Sequence, residues 1–126
     1  MIRGQVRNRE VVVEQLEVGV SRAETRVIEV VVDTGYNGSL TLPRSVIKSL
    51  GLRNAGYRRA TLADGTSVRL NVYSATVIWH DAEKDVLVSQ TDGMSLIGMH
   101  LLEDSRIIID AVEGGAVLIE QLPKTI

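Results

Sequence analysis

Neither cysteine nor phenylalanine occurs anywhere in the 126 residues, and there are only two prolines, three tyrosines and one tryptophan. Without cysteine, disulfides and thiolate metal sites are excluded. With so few aromatics the core must be Val, Ile and Leu, a set that favours strands. A charge excess is missing too: 14 Lys and Arg against 16 Asp and Glu leave a formal charge of −2, so nothing electrostatic calls for a nucleic-acid partner. No run reaches the roughly 18 apolar residues of a membrane span, and "MIRGQVRNRE" lacks the apolar stretch of a signal peptide. The expectation is a cytoplasmic protein with no membrane partner. Of the two histidines, His80 reads as a surface residue beside Asp81, and His100, three residues before Glu103, has no second histidine nearby to complete a zinc site. Neither metal nor cofactor is expected.

What is there is the balance of a globular domain, 44% hydrophobic and 24% charged, in one unit over residues 1–126. Val11–Val18 and Arg26–Asp33 read as two strands joined by a polar connection around Ser21–Thr25. "SLTLP" is a short extended piece. "PRSVIKSLGL" reads as a helix, with Pro43 at its first position and Gly51 at its stop. Asp64-Gly65, the favoured pair of a two-residue type I′ turn, predicts a hairpin in "YRRATLADGTSVRLNV". Its second strand runs on to Trp79, with Tyr73, Ala75, Val77 and Trp79 on one face and Ser74, Thr76 and His80 on the other. A turn at Asp81–Lys84, "DVLVS", "MSLIG", a helix "MHLLED", a strand "SRIIIDAV", a turn at Gly114-Gly115 and "AVLIEQL" complete the chain. Eight or nine short strands punctuated by turn residues imply an antiparallel barrel or sandwich, all-β with two short helices.

One segment stands apart. "VIEVVVDTG" drives an apolar run straight into Asp33, and burying a carboxylate is costly unless it is paired or hydrogen-bonded. Asp, Thr and Gly are common turn formers, so a surface turn is one reading. The context supplies another. An apolar strand, glycine and helix recur in "SLIG" followed by "MHLLED", a weak internal repeat whose second copy lacks the acid.

In "VVVDTG" (Val30–Gly35), the hairpin "TLADGTSVRL" (Thr61–Leu70) and "LIGMHLL" (Leu96–Leu102), the chain resembles the retropepsin-like aspartic proteases, over roughly Glu10 to Leu122. It looks nearest to the small bacterial branch with an aromatic residue after Asp-Thr-Gly. The resemblance implies a closed β-barrel of the acid protease fold, one lobe per chain. It implies an endopeptidase active as a homodimer, with catalytic Asp33, Thr34 and Gly35 from each subunit. The two Asp33 carboxylates would share a proton, one acting as general base on a water while the other polarises the scissile carbonyl. Thr34 would bond across the dimer, and Gly35 would donate its N–H to the carboxylates. The hairpin tip at Asp64 and Gly65 would be a flap over a peptide or protein substrate, with Tyr36 lining the cleft or simply packing.

This chain departs from the family in three ways. Tyr36 replaces the Ser, Thr or Ala of many relatives and has no hydroxyl at Cβ to bond the carboxylate, which predicts a pH optimum above about 3.5. Met99-His100 stands where viral relatives carry Arg and then Asn or Asp. The flap holds one glycine, Gly65. The chain ends "MIRGQV" and "LPKTI", with Ile2 and Ile126, are the expected intersubunit strands, and Asp110 is expected to pair with Arg106 or Arg69 or to face solvent. The alternative to catalysis is an inactive dimer of the same fold that binds peptide or protein partners. "TLPRSVIKSLGLRNAG" also resembles the strand–Pro–helix–Gly segment of swapped-hairpin DNA-binding antitoxins, but that family needs a basic surface.

Overall fold

The computed structural model describes residues 1–124. Ten strands and two short helices alternate in the order β1 (Ile2–Arg7), β2 (Glu10–Ser21), β3 (Glu24–Val32), β4 (Leu40–Pro43), α1 (Arg44–Leu50), β5 (Arg53–Thr61), β6 (Ser67–Trp79), β7 (Ala82–Thr91), β8 (Leu96–Ile97), α2 (Met99–Leu102), β9 (Ser105–Ile109) and β10 (Ala116–Gln121). The expected β-rich fold with two short helices is present. All ten strands join one sheet in the order β5-β6-β7-β4-β8-β3-β2-β1-β10-β9. An extra pairing of β2 with β6, with Val18 opposite Val77, bends the sheet back so that it partly closes into a ring. Among the described residues no helix is long and apolar enough to cross a membrane.

The ring closes around the aliphatic side chains that the composition demanded. Val13, Val18, Val30, Leu40, Leu42, Val77, Val88, Ile97, Leu101, Val117 and Ile119 are all but inaccessible to solvent. In β7 and β10 alternate residues turn inward, Val86 and Val88 in one and Val117 and Ile119 in the other, as the two-residue strand period requires. In β6 the expected apolar face holds, with Ala75, Val77 and Trp79 buried and Tyr73 packed against the core. Thr76, placed on the polar face, is also buried where β2 crosses, and its hydroxyl meets Asp85. Apolar β3 is less uniform than its sequence: Val27 is 57% exposed, and only toward its end, at Val30, does the strand enter the core.

Two turns depart from expectation. Thr61 pairs with Ser67, so the β5–β6 tip holds more than two residues. The Leu62 N–H donates to Thr66 O, and the Gly65 N–H to Leu62 O. Gly65 has φ 86°, a conformation open to glycine and strained for most other residues. This is a three-residue connection over Ala63, Asp64 and Gly65, not the type I′ turn the Asp-Gly pair predicts. Two-residue turns with positive φ at both positions fall instead at Asn8-Arg9 and His80-Asp81. The chain therefore reverses at His80, ahead of the expected Asp81–Lys84, because Trp79 already pairs with Ala82. His80 thus leaves the strand face and its Nε2 lies 2.8 Å from Ser105 Oγ. Pro43 caps α1 one residue before the expected position, and Gly51 ends it as expected.

His80 makes stability depend on pH. Burial lowers its pKa, assisted by the N-terminal amine and Lys84 and opposed by Asp81. In the unfolded chain histidine titrates near its ordinary value of about 6.5. Between that value and the lower native one the unfolded chain binds more protons, so the contribution is present above about pH 6.5 and is lost on acidification. His80→Asn, which tolerates positive φ, is expected to remove this part of the pH slope. Urea midpoints of both chains, read by Trp79 fluorescence near pH 5.5 and 7.5, check it.

The N-terminal segment, one of the two expected intersubunit strands, is paired within its own chain, with β2 on one side of β1 and β10 on the other. The Leu122 N–H donates to Asp104 O. Ile126 lies outside the described residues. Arg106 pairs with Glu120 at 3.1 Å rather than with Asp110, which is exposed.

Candidate functional site

β3 delivers Asp33 at a point where the sheet is braced on both sides. Val31 lies opposite Val12 of β2 and, in parallel pairing, opposite Leu96 of β8. The Asp33 N–H continues that parallel ladder to Ile97 O at 2.9 Å. Beyond it the chain turns at once: the Tyr36 N–H donates to Asp33 O at 3.1 Å, and the Gly35 N–H to Asp33 Oδ1 at 2.9 Å. The carboxylate is half-buried while Thr34 and Gly35 are exposed. Neither ion pair found among the described residues involves Asp33. One hydrogen bond within its own turn holds the side chain, whose second oxygen is open to another molecule.

The segment after Asp33 is clamped to the first turn of α2. α2 has no side-chain cap; its leading amides bond to loop carbonyls instead. The Gly98 N–H donates to Ser39 O (3.1 Å), Met99 N–H to Tyr36 O (2.8 Å) and His100 N–H to Gly38 O (3.2 Å). These are the amides a helix start leaves without internal partners. Contact this close requires glycine at 98: a Cβ there would fall on the Gly38 carbonyl oxygen and 2.6 Å from that of Tyr36. The same turn carries a side-chain pair, Ser39 Oγ to His100 Nδ1 at 2.8 Å. "VVVDTG" and "LIGMHLL", remote in sequence, are thus one hydrogen-bonded unit.

No match to this chain was found among protein-family models, curated proteins or solved structures. The site therefore stands on its own geometry.

Asp33, Thr34, Gly35 and Tyr36 come together in one turn. Tyr36 both packs and lines: its ring covers Gly38 and Gly98, and it borders two cavities. The larger, about 820 Å³, lies between that loop and the β5–β6 hairpin, with Ser39, His100, Tyr57, Arg58, Val72 and Asp85 among its walls. The smaller, about 520 Å³, is bordered by Arg58, Arg69 and Gln90. Arg69 stacks over the Tyr57 ring, 3.6 Å from its centroid, and stiffens the hairpin between the two cavities.

Asp64 and Gly65 line neither cavity. Asp64 accepts the Thr66 hydroxyl and N–H within the tip, and these bonds lower its pKa, the hydroxyl contributing most. Its side chain is thus engaged in shaping the hairpin. Sequence reasoning missed Gly98's steric role and the Ser39–His100 pair, because both depend on a contact that no local spacing encodes. Among the described residues no three His, Cys, Asp or Glu side chains are grouped to hold a metal ion.

Proposed function

We propose that this chain is a retropepsin-like aspartic endopeptidase that works as a homodimer, each copy supplying one Asp33. The observation that carries the reading is the joining of the two sequence motifs: Asp33 N–H bonds Ile97 O, and the α2 amides bond the loop that follows Asp33. A rigid apolar base thereby holds a carboxylate at the surface with one oxygen open.

One carboxylate is half of what the chemistry needs. With two copies facing, the ionised Asp33 takes a proton from a water while the protonated one gives its proton to the substrate carbonyl oxygen. The water oxygen bonds to the carbonyl carbon and forms a diol. Collapse of the diol breaks the C–N bond as the amide nitrogen is protonated, giving an acid and an amine. Gly35 N–H fixes the carboxylate's orientation. The groove under the β5–β6 hairpin, walled by Tyr36 and Tyr57, is where an extended peptide would lie. The second reading, a peptide-binding dimer without hydrolysis, is favoured by one observation: Asp33 does not line the larger cavity.

The test is digestion of a diverse unstructured peptide library from about pH 4 to 7.5, read by mass spectrometry. Cleavage by the wild type with an optimum above about pH 3.5 is the expected result. Peptides retained intact by the protein, with no new termini at any pH, would establish the binding reading instead.

A further inference from the structure

The β5–β6 hairpin carries a positive excess in a chain whose formal charge is −2. From Arg53 to Trp79 it holds four arginines, Arg53, Arg58, Arg59 and Arg69, against one acid, Asp64. Asp64 is engaged by Thr66 at the tip. The ion pairs found among the described residues, Arg7–Glu29 and Arg106–Glu120, reach no arginine of the hairpin. A guanidinium left without a carboxylate in a walled space is ready to take one from another molecule.

Two of the four, Arg58 and Arg69, border the smaller cavity. Its other polar walls can also donate. Gln90 Oε1 accepts the Tyr73 hydroxyl at 3.2 Å, which leaves the amide NH2 to donate. Thr91 Oγ1 accepts the Gly93 N–H at 3.1 Å and keeps its own proton to give. Ser89, only 6% exposed, adds a hydroxyl. The one acid on this border among the described residues, Asp92, is exposed. The larger cavity differs, because it has a carboxylate of its own in Asp85, which meets the Thr76 hydroxyl at 3.4 Å. Arg69 is preset as well: stacking on Tyr57 uses the flat face of the guanidinium and leaves its N–H edge available.

We propose that the smaller cavity is a carboxylate site, which takes an Asp or Glu side chain of a peptide whose backbone lies in the larger groove. Tyr36, Arg58 and Ser89 wall both cavities, so a peptide in one reaches the other by a single side chain. Arg58 and Arg69 hold the carboxylate, and Ser89, Gln90 and Thr91 complete its hydrogen bonds. The chain therefore selects acidic peptides. A nucleic-acid strand fits less well, because Arg69 already covers one face of Tyr57, the ring on which a base would stack. The inference rests on the groove of the proposed function being where a peptide lies, but its test reads binding. Acid-selective binding without hydrolysis overturns only the reaction, and hydrolysis without acid selectivity overturns only this inference.

The probe is a degenerate library of peptides about eight residues long, acetylated and amidated at their ends, retained on the full chain carrying Asp33→Asn and read by mass spectrometry. Retained peptides are expected to carry Asp or Glu at one position, enriched about tenfold over Asn and Gln. Arg58→Gln and Arg69→Gln are each expected to weaken the best acidic peptide about tenfold and to leave its amide counterpart unchanged. Arg59→Gln removes the same charge from the same strand but borders neither cavity, and should change binding by less than about twofold. Urea midpoints establish that each variant is folded. Equal retention of acidic and amide peptides overturns the proposal. So does an Arg59→Gln chain that weakens as much as the other two, or a single-stranded oligothymidylate that binds more tightly than any peptide. Capture of a free-ended library alone, whatever its side chains, would mean recognition of a chain terminus and overturns it too.

Discussion

Asp33→Asn is expected to lower peptide hydrolysis by about 10³-fold or more and to leave the fold intact. The two effects separate because Asp33 does little structurally. Its side chain accepts one hydrogen bond, from Gly35 N–H, and an asparagine oxygen of the same shape accepts it equally well. With no ion pair to lose, unfolding stability should change by no more than about 0.5 kcal/mol. The chemical loss is large because an amide cannot take the proton of water. Mixing sharpens the result. If subunits exchange freely and the site needs an Asp33 from each chain, an equal mixture of wild type and variant keeps about a quarter of the activity of the same total of wild type. A site complete within one chain would keep about half. Activity against mixing ratio, together with urea midpoints, separates these outcomes.

Gly98→Ala is expected to cost about 3 kcal/mol or more, a large part of the 5–15 kcal/mol that holds a typical domain. The added Cβ falls on the carbonyl oxygens of Gly38 and Tyr36 and against the Tyr36 ring. Two of these three obstacles are backbone and cannot rotate away. Relief requires α2 to part from the loop after Asp33, which breaks the Gly98, Met99 and His100 amide bonds together. Gly93→Ala is the matched control, since a Cβ there meets only Thr91 Oγ1 at 3.5 Å. Its expected change is within about 0.5 kcal/mol. Urea midpoints for both variants, with hydrogen exchange at the Met99 amide, check the difference. Equal midpoints for the two alanine variants would mean that the clamp on α2 contributes little.

Both predictions depend on a contact that one motif makes with the other, and that contact marks the boundary of what local sequence conveys. Asp33-Thr34-Gly35 was legible because β-branched residues followed by turn formers mark a strand end. Its partner at Leu96–Gly98 was legible as a weak internal repeat of strand, glycine and helix, but nothing local said that the two copies touch. Tyr36, read as lining or packing, does both, since the same ring that borders the cavities covers two glycines. Asp64 and Gly65 were rightly placed at a hairpin tip, but their bonds turn inward. The tip is longer than the Asp-Gly pair predicts because Thr61 is held opposite Ser67, and strand register decides how many residues remain to turn.

By itself the sequence determined an aliphatic, strand-rich fold with two short helices, the span of α1 between Pro43 and Gly51, and an acid at the end of an apolar strand. These follow from side-chain shape and φ preference, which act within a few residues. Only the tertiary structure decided that β8 lies beside β3, that β2 crosses to β6 and partly closes the ring, that β1 pairs inside its own chain, and that β9 is left as an apolar edge. Those outcomes rest on backbone N–H and C=O groups that every residue but proline shares. Which pair meets is set by the packing of the whole core, not by the identity of the residues that meet.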